Sequence, residues 1–149
     1  MKASLQILFP MAALLLGGCD SNLGPSDIPP EQLTGLPKSA TELCARWSGA
    51  SFNGDGAWLV TYTCSEEDFL ALKAGYLQDG AHWISGLSER SRTILMQMDS
   101  LNCPKHFYPQ QTSDSLESLV SPSDTKPGSP YYVVVDTKKR RIWSLRIQS

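Results

Sequence analysis

Four cysteines and two histidines are the residues of this chain best suited to covalent or metal chemistry. His106 follows Cys103 in the run Cys-Pro-Lys-His, which could supply half of a zinc site, but no second ligand pair of recognisable spacing accompanies it. His82 follows a predicted helix and fits a surface or half-packed position better than a catalytic one. We therefore expect no metal, no cofactor and no catalytic residue.

A short glycine-rich run suggests another class of metal site. Asn53 and Asp55 alternate with glycines, as side chains do in a calcium-binding loop. The bidentate glutamate that completes such a loop is missing further along the chain. The run therefore predicts a hairpin turn between two strands.

The first cysteine has a different setting, because it follows the layout of a secretory signal. A single lysine precedes an apolar segment at 5–16, which two glycines follow. This segment is shorter than the roughly 20 apolar residues that a membrane-spanning helix needs. Its end, Leu16-Gly17-Gly18-Cys19, resembles the lipobox of bacterial lipoproteins, in which a branched apolar residue and two small residues precede a lipid-bearing cysteine.

The lipobox resemblance implies where the protein is located. Residues 1–18 are then a signal peptide, and Cys19 carries a diacylglycerol on its thiol and an acyl chain such as palmitate on its amine. Each buried acyl methylene contributes about 0.8 kcal/mol, so these chains anchor the protein stably in a membrane. Asp20 resembles the residue that retains enterobacteria-like lipoproteins at the periplasmic face of the inner membrane, so we expect that membrane rather than the outer one.

Charge and length fit a small exported domain. The full chain has a formal net charge of −2, and loss of residues 1–18 removes one lysine, which leaves 12 basic and 15 acidic residues. This acidic balance gives no sign of nucleic-acid binding. A chain of this length suits one domain, so we expect a lipidated flexible tether at 19–38, rich in proline, glycine and serine, and a single globular domain at 39–149.

The three remaining cysteines would lie in an oxidising compartment, where one bridge and one odd thiol are expected. Two antiparallel helices would bring Cys64 and Cys103 together, and a bridge needs Cα atoms within about 7 Å of each other. This topology favours a Cys64–Cys103 disulfide and leaves Cys44 as a buried or free thiol. A Cys44–Cys64 bridge is the rival, although a hairpin centred near Phe52 places Cys44 nearer Val60.

Alternating and helical apolar patterns predict six elements in the globular domain. In chain order they are strands at 41–47 and 57–64, helices at 65–77 and 88–101, and strands at 131–135 and 143–147. The segment at 107–130 has several prolines and serines and is predicted to be a long surface loop. The expected fold class is α+β, a small two-layer sandwich in which an antiparallel sheet (strand-strand-helix-helix-strand-strand) carries both helices on one face.

The first helix has the clearer sequence signals. Ser65 can cap its start, and three acidic residues follow at the positive end of the helix dipole. Its apolar residues are expected to form one stripe wide enough to cover the sheet. They are Phe69, Leu70, Leu72, Ala74, Tyr76 and Leu77.

A basic turn is the most uneven charge feature of the mature chain. Its residues are Lys138, Lys139, Arg140 and Arg141. One interpretation is a solvated turn that also protects a sheet edge. The other is contact with anionic lipid headgroups or an acidic partner, where each basic residue could contribute about 1 kcal/mol.

These patterns lead to three functional hypotheses. The first is a non-enzymatic, lipid-anchored periplasmic protein of the cell envelope, accessory or immunity-type, whose domain binds an unknown protein partner. The second is a small cell-wall-associated hydrolase that uses Cys103 or the odd thiol with a histidine. The third is a structural or stress lipoprotein of the envelope.

Overall fold

A single antiparallel sheet dominates the computed structural model, which describes residues 25–49, 56–122 and 131–148. The elements in chain order are β1 (Ser26–Asp27), β2 (Thr41–Ser48), β3 (Gly56–Thr63), α1 (Glu66–Gly75), β4 (His82–Ser85), α2 (Arg92–Ser100), β5 (Leu116–Val120), β6 (Tyr131–Asp136) and β7 (Arg141–Gln148). Their order across the sheet is β1-β2-β3-β7-β6-β5-β4. The expected α+β class is confirmed in this broad sense.

The central strands are apolar on both sides, because neighbouring residues of a strand point to opposite faces of the sheet. The core therefore has two parts, and each part includes one helix. The α1-side core is formed by Ile28, Ala45, Val60, Tyr62, Cys64, Phe69, Val133, Val135 and Ile142. The α2-side core is formed by Cys44, Ala57, Leu59, Ile94, Met98, Leu101, Cys103, Leu116, Val134, Trp143 and Leu145.

The predicted two-layer arrangement with both helices on one face is wrong. Phe69 of α1 packs in one core, whereas Ile94 and Met98 of α2 pack in the other. The physical reason lies in the strands: Val133 and Val134 are both buried on opposite faces, and a sheet that is apolar on both faces must be covered on both.

The folded part begins earlier than the predicted residue 39. Ser26 and Asp27 pair with Trp47 and Arg46 of β2. Ile28 is buried, and its N–H donates to Ala45 O at 2.9 Å. The predicted tether is thus wrong for residues 26–28, which belong to the sheet and its core, and residues 19–24 lie outside the described part of the chain.

The predicted loop at 107–130 contains a strand, β5, and is wrong in that part. The strand pairs with β4 and β6, and Ser118 within it is buried. The Ser118 hydroxyl donates to Gly86 O at 2.7 Å and accepts from the Ser88 N–H at 3.1 Å. A serine can occupy a buried strand position when its hydroxyl has hydrogen-bond partners. The proline and serine content of this segment therefore indicated a loop where a strand forms.

The sequence signals for α1 and for the last hairpin are confirmed. The Ser65 side chain accepts a hydrogen bond from the Asp68 N–H, as an N-cap does. In the turn between β6 and β7, Asp136 Oδ1 accepts from the N–H groups of Lys138 and Lys139 at 3.0 Å. Within the described residues, no helix has the length and apolar character needed to span a membrane.

Candidate functional site

Two of the predicted site residues, Cys19 and Asp20, lie outside the described residues, as do Asn53 and Asp55 of the predicted turn. Both histidines are exposed. His82 lies in β4 with Nδ1 3.4 Å from Gly80 O. Among the described residues, no group of three or more His, Cys, Asp or Glu side chains is placed to hold a metal ion.

The basic turn exposes fewer unpaired charges than the sequence suggests. Arg141 is only 7% exposed, and its guanidinium bonds the Glu42 carboxylate and donates to Glu42 O at 3.3 Å. The Lys138 ammonium forms a salt bridge with Asp114 at 2.7 Å. Arg141 is therefore turned into the protein and does not belong to the exposed basic surface, where Lys139 and Arg140 lie beside the paired Lys138.

Cys44, Cys64 and Cys103 are all free and buried, and the predicted Cys64–Cys103 pairing does not fit their placement. Cys64 belongs to the α1-side core and Cys103 to the α2-side core, so the sheet separates their thiols. The rival Cys44–Cys64 pairing fails for the same reason. The β2–β3 register places Cys44 opposite Thr61, as a hairpin centred near residue 52 would.

The structure instead brings Cys44 and Cys103 together at the end of α2. The neighbouring Cys103 thiol is the main cause that lowers the pKa of Cys44 to about 7; burial opposes this shift, and the Arg46 guanidinium contributes to it. The neighbouring Cys44 thiol, together with burial, raises the pKa of Cys103 above its usual range. A buried thiol with a raised pKa is a poor nucleophile, which weighs against Cys103 as the catalytic residue of a hydrolase.

The outward side of α1 is the apolar surface that the sequence interpretation missed. Leu70 is 57% exposed and Leu77 is 52% exposed, and Ala71 and Ala74 are exposed between them. We call these four residues the α1 outer face, of which Leu77 lies two positions after the helix ends. Two large apolar side chains that are more than half exposed on one side of the domain make this surface a candidate for protein contact.

A helical projection could have revealed the α1 outer face. At 3.6 residues per turn, Leu70, Ala74 and Leu77 lie about 130° around the axis from the set that contains Phe69 and Leu72. The sheet covers only the set that contains Phe69 and Leu72. What the sequence suggests as one wide stripe is therefore two stripes that face in different directions.

Several contacts fix α1 and thereby position its outer face. Beneath the helix, Phe69 is buried in the α1-side core. Lys73 forms a salt bridge with Glu117 of β5, and Lys73 O accepts from Trp83 Nε1 at 3.2 Å. The residue after the helix, Tyr76, shares a 3.0 Å hydrogen bond between its hydroxyl and that of Tyr131 in β6. These contacts make the outer face a preformed surface.

The comparisons with known proteins give no relative. No family model matches the chain, and neither a curated protein nor a solved structure matches it.

Proposed function

We propose that this protein is a lipid-anchored envelope lipoprotein that faces the periplasm and whose globular domain binds another protein, as an accessory or immunity-type module. The Leu16-to-Cys19 motif supports the anchor, and Asp20 supports retention at the inner membrane. No catalytic step is assigned to the domain.

The α1 outer face carries the binding part of the proposal. An outward helix face in a small domain is ordinarily polar. Here Leu70 and Leu77 expose more than half of their surface, and the helix beneath them is fixed by packing and hydrogen bonds. A surface that is already ordered loses little conformational entropy on binding, which favours its use as an interface.

The start of the folded part adds a geometric constraint. Residues 20–25 join the proposed lipid-bearing Cys19 to β1, and a chain of that length spans about 20 Å when fully extended. The tether expected from sequence, 20–38, would reach about 65 Å. The proposed partner is therefore a membrane protein or a protein held close to the membrane surface.

Metabolic labelling tests the anchor. A clickable fatty acid should label the native chain and should fail to label Cys19→Ala. Membrane fractionation should find the native chain in the inner membrane and Asp20→Ser in the outer membrane. Equal labelling of the native chain and Cys19→Ala would end the anchor proposal, and a native chain already in the outer membrane would end the sorting proposal.

A matched pair of substitutions tests the binding surface. Leu70→Lys places a charge in the outer face, while Glu66 four residues earlier supports the helix. Met96→Lys is the control, because Met96 is 68% exposed on α2, which covers the opposite side of the sheet. Both changes should alter stability by less than about 0.5 kcal/mol.

The measurement is quantitative cross-linking and co-purification of the anchored chain in mild detergent. The native chain and Met96→Lys should recover the same protein at constant stoichiometry, and Leu70→Lys should recover less than about a tenth of it, as expected for a central interface residue. Equal recovery by the two variants would contradict the assignment of the surface. Recovery of no protein by the native chain would favour the structural envelope role.

A further inference from the structure

We propose that Cys44 and Cys103 form a disulfide bond when the chain folds in the presence of a thiol oxidant, and that Cys64 remains the odd thiol. The bond would cross-link β2 to the segment that follows α2. The export that we propose above determines where the cell supplies the oxidant, but the pairing itself follows from the fold.

The first observation is that β2 and the end of α2 are held together. Cys44 and Arg46 are two residues apart on β2 and so point to the same face of the sheet. Arg46 Nε donates to Leu101 O at 3.0 Å, just after α2 ends. A second guanidinium nitrogen of Arg46 lies 2.5 Å from Asp27 Oδ1, which fixes the side chain from the other end. Cys44 therefore faces the segment that contains Cys103.

The second observation is the path of the chain after α2. Asn102 adopts a left-handed conformation with φ 52°, which turns the chain sharply. The Cys103 N–H then donates to Met98 O at 3.0 Å, so the residue returns against the last turn of the helix. Cys103 is 5% exposed and Cys44 is 8% exposed, both within the α2-side core. The two thiols are close enough for each to shift the pKa of the other.

The third observation concerns which thiol reacts first. Arg46 lies two residues from Cys44 on the same face of β2, so its charge is beside Cys44 even before α2 docks and favours the thiolate of that residue. The oxidant is a disulfide, either of a thiol–disulfide oxidoreductase or of oxidised glutathione. The Cys44 thiolate attacks one sulfur of that disulfide, which gives a mixed disulfide and releases one thiolate of the oxidant.

The second step closes the bond. Cys103 gives its proton to solvent, and its sulfur attacks the Cys44 sulfur, which expels the second thiolate of the oxidant. The two protein thiols lose two electrons together, and one oxidant disulfide becomes two thiols. Because both cysteines are buried in the finished fold, this exchange takes place while α2 is docking, and the bond is afterwards shielded from reductants.

Cys64 cannot take part in this reaction without a change of fold. It directly follows β3, and its side chain packs in the α1-side core on the opposite face of the sheet. Its N–H donates to Arg140 O at 3.3 Å, which holds the residue beside the β6–β7 turn. Burial raises the pKa of its thiol, so Cys64 is also the less reactive group.

Oxidative refolding followed by peptide mapping tests the pairing. The full chain carrying Cys19→Ser, purified in mild detergent, is reduced, unfolded and refolded in a mixture of oxidised and reduced glutathione, then quenched in acid and alkylated. Mapping without reductant should give one major cross-linked pair that contains Cys44 and Cys103, with Cys64 alkylated. A Cys64-containing bridge as the major product, or three alkylated thiols, would overturn the proposal.

Single variants give an independent readout. Reductant should lower the urea midpoint of the refolded Cys64→Ala chain by as much as that of its parent. Cys44→Ala and Cys103→Ala should show no such shift, and a full shift in either would also overturn the proposal. Should either of these variants fail to fold, the mapping of the parent chain still decides. Neither lipidation nor a partner enters this experiment, so its result is separable from the proposed function.

Discussion

The two faces of the sheet hold their helices in different ways. On the α2 side, Ile94, Met98 and Leu101 have no exposed surface and pack against the central strands. On the α1 side, Phe69 is the one buried residue of the helix, and polar contacts of Lys73 hold much of the rest. The α2 side is thus a sealed core, whereas α1 is a surface element attached to the sheet. A surface element can meet a partner without loss of the core, which is why we place binding on α1.

Two methionines of α2 provide the sharpest test of the sealed core. Met98→Ala should lower the free energy of unfolding by about 3 kcal/mol, because it leaves a cavity among fully buried neighbours. Met96→Ala is the matched control on the same helix and should change it by less than about 0.5 kcal/mol. Urea unfolding of both variants measures the difference. Equal losses would show that α2 is not the buried helix described here.

Alkaline pH should also act through three tyrosines on the other side of the sheet. Burial is the main cause that raises the pKa of Tyr62, Tyr76 and Tyr131 above its ordinary value of about 10. Between pH 10 and the raised values, the unfolded chain releases phenolic protons that the folded chain keeps, so stability falls as pH rises. The slope is up to about 1.4 kcal/mol per pH unit for each tyrosine.

Tyr76→Phe isolates one of these groups. The variant should lose less stability than the native chain between pH 10 and 11.5, because it has one fewer phenol to ionise on unfolding. Urea midpoints across this range measure the slope. An unchanged slope would mean that Tyr76 is not held neutral beneath α1.

The cap of α1 should have a smaller effect. Ser65→Ala removes the oxygen that accepts from the Asp68 N–H and should cost about 1 kcal/mol of unfolding free energy. Ser100→Ala, at the end of α2, is the control: its hydroxyl is exposed and donates to Met96 O. Thermal unfolding should separate the two variants by several degrees, and a larger effect of Ser100→Ala would reverse the comparison.

Local sequence signals predicted α1 and the β6–β7 hairpin, because a cap or a turn is decided by residues close in the chain. The Ser65 cap and the turn at Lys138 are examples. Such local signals could not predict the order of the strands in the sheet. Strand β5 depends on Ser118, whose two hydrogen bonds reach Gly86 and Ser88 far along the chain.

The sequence could not show which face of the sheet each helix covers. That placement determines which cysteines lie close together and which side of α1 is exposed. Periodicity shows that a helix has an apolar stripe but does not show which side of a two-sided sheet the stripe covers. Once α2 lies opposite α1, Cys103 meets Cys44 instead of Cys64. The same arrangement leaves α1 without a neighbouring helix, which exposes Leu70 and Leu77.

The smallest expected effect concerns how α1 is attached at its edge. Glu117→Gln removes the half-buried salt bridge from Lys73 to β5 and should lower the free energy of unfolding by about 0.5 kcal/mol. Asp114→Asn removes the far more exposed bridge to Lys138 and should change it by less than that. Hydrogen exchange gives the decisive readout, since α1 amides should exchange faster in Glu117→Gln while α2 amides are unchanged. If α2 responded as strongly as α1, the two helices would belong to one cooperative unit, and the division between a sealed core and an attached surface helix would be wrong.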